Sequence, residues 1–294
     1  MDAAEIARIV MDGQLWQAGT ALAPLAEAQV GAVAQEVARQ ASSAGDTVEV
    51  IANLISAAAP RVALEAREKL AGLEALRHLA AHVALESKGE DWEELIPAIR
   101  TLGVDVSQRV REVIVRLVAR IASKDFEGSK SFWQECLEDE EGPLGGSVIR
   151  GLAISEAPVP GVLDLIGTRL SDFRKDIRHS LGPTALARLG KRDPQVVYEK
   201  LKEWARRADE ITRWNVAKAL GTPLGGVNIE GAMEILEILA ADERPSVWRA
   251  AGEALVHIAE RRPAFVLPIL SRWRGDPARQ KAANLALSTL ARRR

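Results

Sequence analysis

Apolar residues recur along this chain at the three- and four-residue spacing of amphipathic helices. Ile6, Ile9 and Val10 form one such stripe, and Val30, Val33 and Val37 another; Val196, Val197 and Leu201 and then Ile235, Leu236 and Leu239 repeat the pattern. No useful length alternates polar and apolar with period two, so no sheet is expected. From Trp92 onward the stripes fall into pairs. First helices are predicted near 92–102, 127–138, 159–170, 194–206, 229–240 and 263–273, and second helices near 106–123, 146–156, 172–190, 209–220, 243–261 and 277–292. Asp193-Pro194 and Asp276-Pro277 mark starts, each placing a capping acceptor before a proline whose missing N–H costs nothing at the first helical position. Gly190 and Gly221 stand where a helix end favours a left-handed residue. Pro60 marks a turn ahead of a helical segment from Ala63 to Leu85. Gly182-Pro183 falls inside a second helix and predicts a kink or break near 180–183.

The pairs repeat. Ala185, Leu186, Leu189, Gly190, Pro194, Val197, Leu201 and Trp204 return sixty-nine positions later as Ala254, Leu255, Ile258, Ala259, Pro263, Val266, Leu270 and Trp273. That interval is about twice one helical hairpin, the self-similarity by which solenoids show themselves. The expected fold is all-α, a right-handed α-α superhelix of the HEAT/armadillo-like kind. Residues 1–91 carry the signature poorly and are expected to form a divergent helical cap; residues 92–294 are expected to form about six hairpins in one continuous solenoid.

Charge adds a second pattern. The net charge is only -2, so its bulk value points to no partner. Sorted by element, however, the first helices carry two acidic residues for each basic one, and the second helices two basic for each acidic. In a two-helix solenoid this predicts a basic concave wall, which attracts an anionic partner such as a DNA duplex. Arg109, Arg111, Arg174, Lys175, Arg178, Arg213, Lys218, Arg249, Arg279 and Lys281 are the candidates for it. The competing use of these side chains is ion pairing between repeats. Trp204 and Trp273 close equivalent first helices and are expected to plug the core. Trp214 and Trp248 adjoin Arg213 and Arg249 near second-helix starts, where a ring can stack beside a phosphate contact or lie buried between hairpins.

The run IRHSLGPTALARLGKRDPQVVYEKLKEW, followed by EITRWNVAKAL, resembles the HEAT-like repeats of bacterial DNA alkylation repair glycosylases. The resemblance spans roughly residues 105–294. It implies repeats that wrap a duplex with a basic concave face, while aromatic residues, a carboxylate and an arginine act at the alkylated nucleotide. The family sets an Asp one turn after a Trp. Here Trp92 is followed at that spacing by Ile96, Trp133 by Leu137, Trp204 by Ala208, Trp214 by Lys218 and Trp248 by Gly252, so no catalytic residue is carried over.

Other constellations narrow the picture. The single cysteine, Cys136, excludes a disulfide framework and reads as a small core residue. His78 and His82 share a helical face with Glu74 and Glu86; Leu79 stands where a zincin helix needs Glu, so the group reads as a solvated polar stripe rather than a metal site. Gly221 and Gly226 have phosphate-loop spacing, but Val227-Asn228 replace the Lys-Ser/Thr it requires. The two PLGG segments at 143–146 and 223–226 read as loop chemistry, and the acidic run Glu138–Glu141 as an exposed helix end. Arg292-Arg293-Arg294 compensates the last helix's dipole. No secretory signal or membrane span is read, and the expected location is cytoplasmic. No cofactor is expected. The expected function is a binding scaffold whose concave groove receives nucleic acid or a protein. The alternative is a DNA alkylation repair glycosylase or a catalytically silent relative.

Overall fold

The computed structural model describes residues 1–41, 44–58, 67–87, 91–139 and 144–293, and all regular structure among them is helical. Two compact units result, Met1–Ile121 and Ala122–Arg294. Their division falls within the helix Gln108–Lys124.

The first unit comprises α1 (Ala3–Met11), α2 (Leu15–Leu22), α3 (Glu27–Gln40), α4 (Ala44–Ala57), α5 (Arg67–Glu86), a 3-10 turn (Trp92–Leu95) leading into α6 (Ile96–Leu102), and α7 (Gln108–Lys124). Pro60 and residues 63–66 lie outside the described residues. α5 is its axis, packed against α2, α3, α4 and α6. Leu76, Leu79, Ala80, Ala81, Val83 and Ala84 are all buried, so α5 has no broad solvent face over this stretch. Gly19 lets α2 cross it closely, because a Cβ there would lie 3.1 Å from the Gly72 carbonyl.

The second unit begins with α8 (Phe126–Glu138), α9 (Gly145–Ile154), α10 (Val159–Gly167), α11 (Lys175–Ser180), a π-turn (Leu181–Leu186) and α12 (Ala187–Arg192). It continues with α13 (Pro194–Trp204), α14 (Glu210–Leu220), a 3-10 turn (Pro223–Gly226), α15 (Ile229–Ala240), α16 (Pro245–Arg261), α17 (Pro263–Trp273) and α18 (Gln280–Arg293). First and second helices alternate as the hydrophobic pattern predicts. Asp193 caps α13 by accepting the Val196 N–H at 3.2 Å, with Pro194 at the first helical position. Asp276 instead closes a turn, accepting the Ala278 N–H at 3.0 Å, and α18 starts only at Gln280.

The expected break arrives as the π-turn. Pro183 has no N–H to offer the helical ladder, and Thr184 Oγ1 donates to the His179 carbonyl at 3.0 Å across the widened turn. The two glycine expectations need correction. Gly221 ends α14 with φ -71, and Gly190 lies inside α12; neither is left-handed, whereas Gly13 is, at φ 74. Gly190 serves packing instead, since an added Cβ would overlap Leu224 Cδ1.

Trp204 and Trp273 plug the core as predicted, at 2% and 3% exposure. Trp133 is fully buried, with Nε1 donating to Ser129 Oγ at 2.8 Å, and Cys136 is a core residue beside it in α8. Within this unit the second helices touch their successors closely, α9 on the π-turn, the π-turn on α14, α14 on α16 and α16 on α18. The first helices α8, α10, α13 and α15 meet at only a few positions. A stack packed tightly along one layer and splayed along the other curves around the tight layer. The second helices therefore form the inner side of the unit. The fold class is an all-α solenoid of paired helices, as the repeat predicts.

Candidate functional site

Buried positions align the inner-layer helices. Ile177, Thr212 and Val247 are equivalent, as are Ser180, Asn215 and Ala250, and all six are buried. This register places Arg178-His179, Arg213-Trp214 and Trp248-Arg249 at the same two outward positions on α11, α14 and α16. Each step carries one arginine and one aromatic ring. The Arg178 guanidinium lies 4.2 Å from the Trp214 ring centroid, with Lys218 Nζ at 5.7 Å, and Arg249 lies 5.2 Å from the Trp248 ring. A guanidinium held on a ring keeps its edge donors for a ligand and loses little freedom on binding one. Arg178 and Trp214 also border a crevice of about 70 Å³ with Glu210, Ile211 and Ser246.

The ten predicted residues divide into two groups. Arg174 is taken up by Asp172, at 3.0 Å from Nη2, and the buried Asp172 also pairs with Arg169. Arg213 pairs with Asp242 at 2.8 Å, and Arg244 joins the same carboxylate at 2.7 Å. Arg279 bridges Asp276 and Glu237, and Lys218 reaches Glu253 at 2.9 Å. Lys175, Arg249 and Lys281 are exposed, and Arg178 rests on its ring. In the first unit, Arg111 donates to the Asp105 carbonyl, while Arg109 borders a separate cavity.

The aspartates form a pattern that sequence inspection missed. Asp105, Asp172 and Asp242 each stand just ahead of a second helix and accept the N–H two residues on, at 2.8, 2.9 and 2.9 Å. Two of them also receive an arginine from an earlier helix: Arg77 Nε lies 2.6 Å from Asp105, and Arg213 Nε 2.8 Å from Asp242. The recurrence of Asp two residues before Ser107, Arg174 and Arg244 was the available signal. Burial alone would raise the Asp242 pKa; the Arg244 hydrogen bonds and the Arg213 charge overcome this and hold it below the usual carboxylate range. Asp172 is held low in the same way by Arg174 and Arg169.

The histidine expectation also needs correction. His78 and His82 are not solvated but 2% and 4% exposed, because four helices surround α5. Their rings meet edge-on with centroids 4.7 Å apart. Burial, then the neighbouring His78, push the His82 pKa down to about 4. Among the described residues no group of three or more His, Cys, Asp or Glu is arranged to hold a metal, and no helix is long and apolar enough to cross a membrane. Pro143, Glu140, Glu141 and Arg294 lie outside the described residues. Arg293 pairs with Glu260 at 2.5 Å.

No family model matches the chain, and no curated protein does. Among solved structures, Kap121p bound to Pho4p is similar over 95% of this chain and 33% of its own, at 14% identity and a TM-score of 0.47. A Kap121p mutant matches over the same shares at 14% and 0.46. Importin beta matches over 98% of this chain and 42% of its own, at 14% and 0.36. The chain thus spans about a third of the length of Kap121p. The fold class rests on the chain's own stacked hairpins.

Proposed function

We propose that this chain is a protein-binding scaffold, and that its second unit receives an acidic, extended segment of a partner along the inner layer of helices. The observation that carries this reading is the Arg178–Trp214 stack, flanked on the next helix by Trp248 and Arg249. Lys175 on α11 and Lys281 on α18 are further exposed cations of the same layer of helices. Such a row offers charge for carboxylates and flat apolar surface for the side chains between them. Its cations are few, since Arg174, Arg213, Lys218 and Arg279 already hold carboxylates. Duplex affinity grows with the number of phosphates neutralised, which favours a protein segment over DNA. A glycosylase reading would need a carboxylate one turn beyond an accessible Trp, where Lys218 and Gly252 stand.

The test is fluorescence anisotropy with a labelled Glu/Asp-rich peptide and a labelled DNA duplex, each at about 50 mM salt, where phosphate contacts are strong. Saturable peptide binding that weakens at least about tenfold in Arg178→Ala and Trp214→Ala, on the scale of an interface anchor, supports the proposal. Duplex binding with no peptide binding overturns it in favour of nucleic acid. Binding of neither removes the inner layer as the site.

A further inference from the structure

Building on the protein-segment reading, we infer that the inner layer of the second unit selects a polyproline-type segment in which a carboxylate recurs every third residue. Trp214 on α14 and Arg249 on α16 hold the same outward position on successive helices, so their backbones lie one helix spacing apart. That spacing is close. An added Cβ at Gly221, which ends α14, would lie 3.6 Å from the Ala254 Cα of α16, and one at Gly182 would lie 2.9 Å from the Asn215 carbonyl oxygen. Helices packed in this way are about 8–10 Å apart. Arg178 reaches over from α11 and seats its guanidinium 4.2 Å from the Trp214 ring centroid. Two cations, Arg178 on Trp214 and Arg249 beside Trp248, therefore recur at about that interval, each next to a flat ring.

Both cations are presented to a ligand. Only Nε of the half-buried Arg178 is fully enclosed, which leaves its outer amino groups available, and Arg249 is exposed. Glu210 borders the same crevice as Arg178, but its carboxylate accepts from Ser246 Oγ. Set against Arg178, it still leaves Arg249 unbalanced, and the single Asp242 carboxylate faces both Arg213 and Arg244. The conformation of the partner follows from the interval. Side chains of a β-strand return to one face at about 6.6 Å and next at about 13 Å. Those of a polyproline II helix return every third residue, at about 9.3 Å, which matches the helix spacing. Carboxylates at that period take the two guanidiniums, and the proline rings between them lie on Trp214 and Trp248. A chain of this kind is stiff before it binds and loses little freedom.

Three labelled peptides of equal length and charge test this by fluorescence anisotropy on the full chain: six Glu-Pro-Pro repeats, three Glu-Glu-Pro-Pro-Pro-Pro repeats, and six Glu-Gly-Gly repeats. The first two share one composition and differ only in spacing. The regular proline peptide should bind at least about fivefold more tightly than the permuted one, and more tightly than the glycine one, whose flexible backbone must be ordered. In Arg249→Ala, an exposed substitution, the regular and permuted peptides should bind equally, because one guanidinium alone cannot read an interval. Equal affinity for those two in the unaltered chain, a glycine peptide as tight as the proline one, or a preference that survives in Arg249→Ala would each overturn the periodic segment. The acidic-segment reading stands in those cases, because the peptides still bind. Binding of none of the three strikes both.

Discussion

At the scale of single residues, the charges of this chain are first of all internal fasteners. Asp242 ties its own loop through the Arg244 N–H and fixes two arginines at once. Replacing it with Asn should cost about 1–3 kcal/mol in urea unfolding, less than a fully buried pair because Arg244 is partly exposed. The pH dependence has a definite sign. Asp172 and Asp242 have folded-state pKa values below their unfolded ones, so their stabilisation is complete above the ordinary carboxylate range and fades as pH falls through the lowered values. Asp242→Asn should flatten that acid limb of the stability curve. His82 acts at milder acidity. Its folded pKa is about 4 against an ordinary 6.5, so the unfolded chain takes up the proton first and stability drops between those values. Unfolding midpoints at pH 7 and pH 4 should show a loss to which His82 contributes about 2–3 kcal/mol, and His82→Gln should shrink the loss, leaving the part that the buried His78 supplies. A variant with unchanged pH dependence would show that His82 is protonated in the folded state.

At the scale of elements, the hairpin connections are held by close approaches that tolerate no added atom. Gly225, in the 3-10 turn, would drive a Cβ into the Leu220 carbonyl oxygen, a backbone atom that cannot swing aside. Gly190 would meet the tip of the Leu224 side chain instead. Both alanine substitutions should destabilise, Gly190→Ala by about 1–3 kcal/mol and Gly225→Ala by more, as read from thermal unfolding. The element map itself was largely legible. The hydrophobic stripes located the paired helices, and Gly182-Pro183 located the π-turn. The start of α18 was misread because Asp276 and Pro277 suit a turn as well as a cap, and the neighbouring backbone decides between the two. The glycines were misread for a related reason. A helix end and a close helix crossing both select for a missing side chain, and only the neighbouring element distinguishes them.

At the scale of the whole molecule, the net charge of -2 hides two layers of opposite bias in the second unit. The inner layer offers four predicted cations without a carboxylate partner among the described residues: Lys175, Arg178, Arg249 and Lys281. If a duplex binds there through these alone, log affinity against log salt should fall with a slope of about -4. A slope near twice that would mean the carboxylate-held arginines are released to phosphate, and the ion pairs are not permanent fasteners.

The amino-acid sequence by itself determined that the chain is helical, where most helices in the second unit begin and end, and that they pair and repeat. Those properties come from periodicity, prolines and caps, which act over a few neighbouring residues. Only the tertiary structure decided which charges are spent inside the fold, because Asp242 meets Arg213 from another helix, at a distance no local pattern encodes. It also decided that His78 and His82 are interior. Their spacing fixes that they share a face of α5, but the four helices packed around α5 determine whether any face of it reaches water.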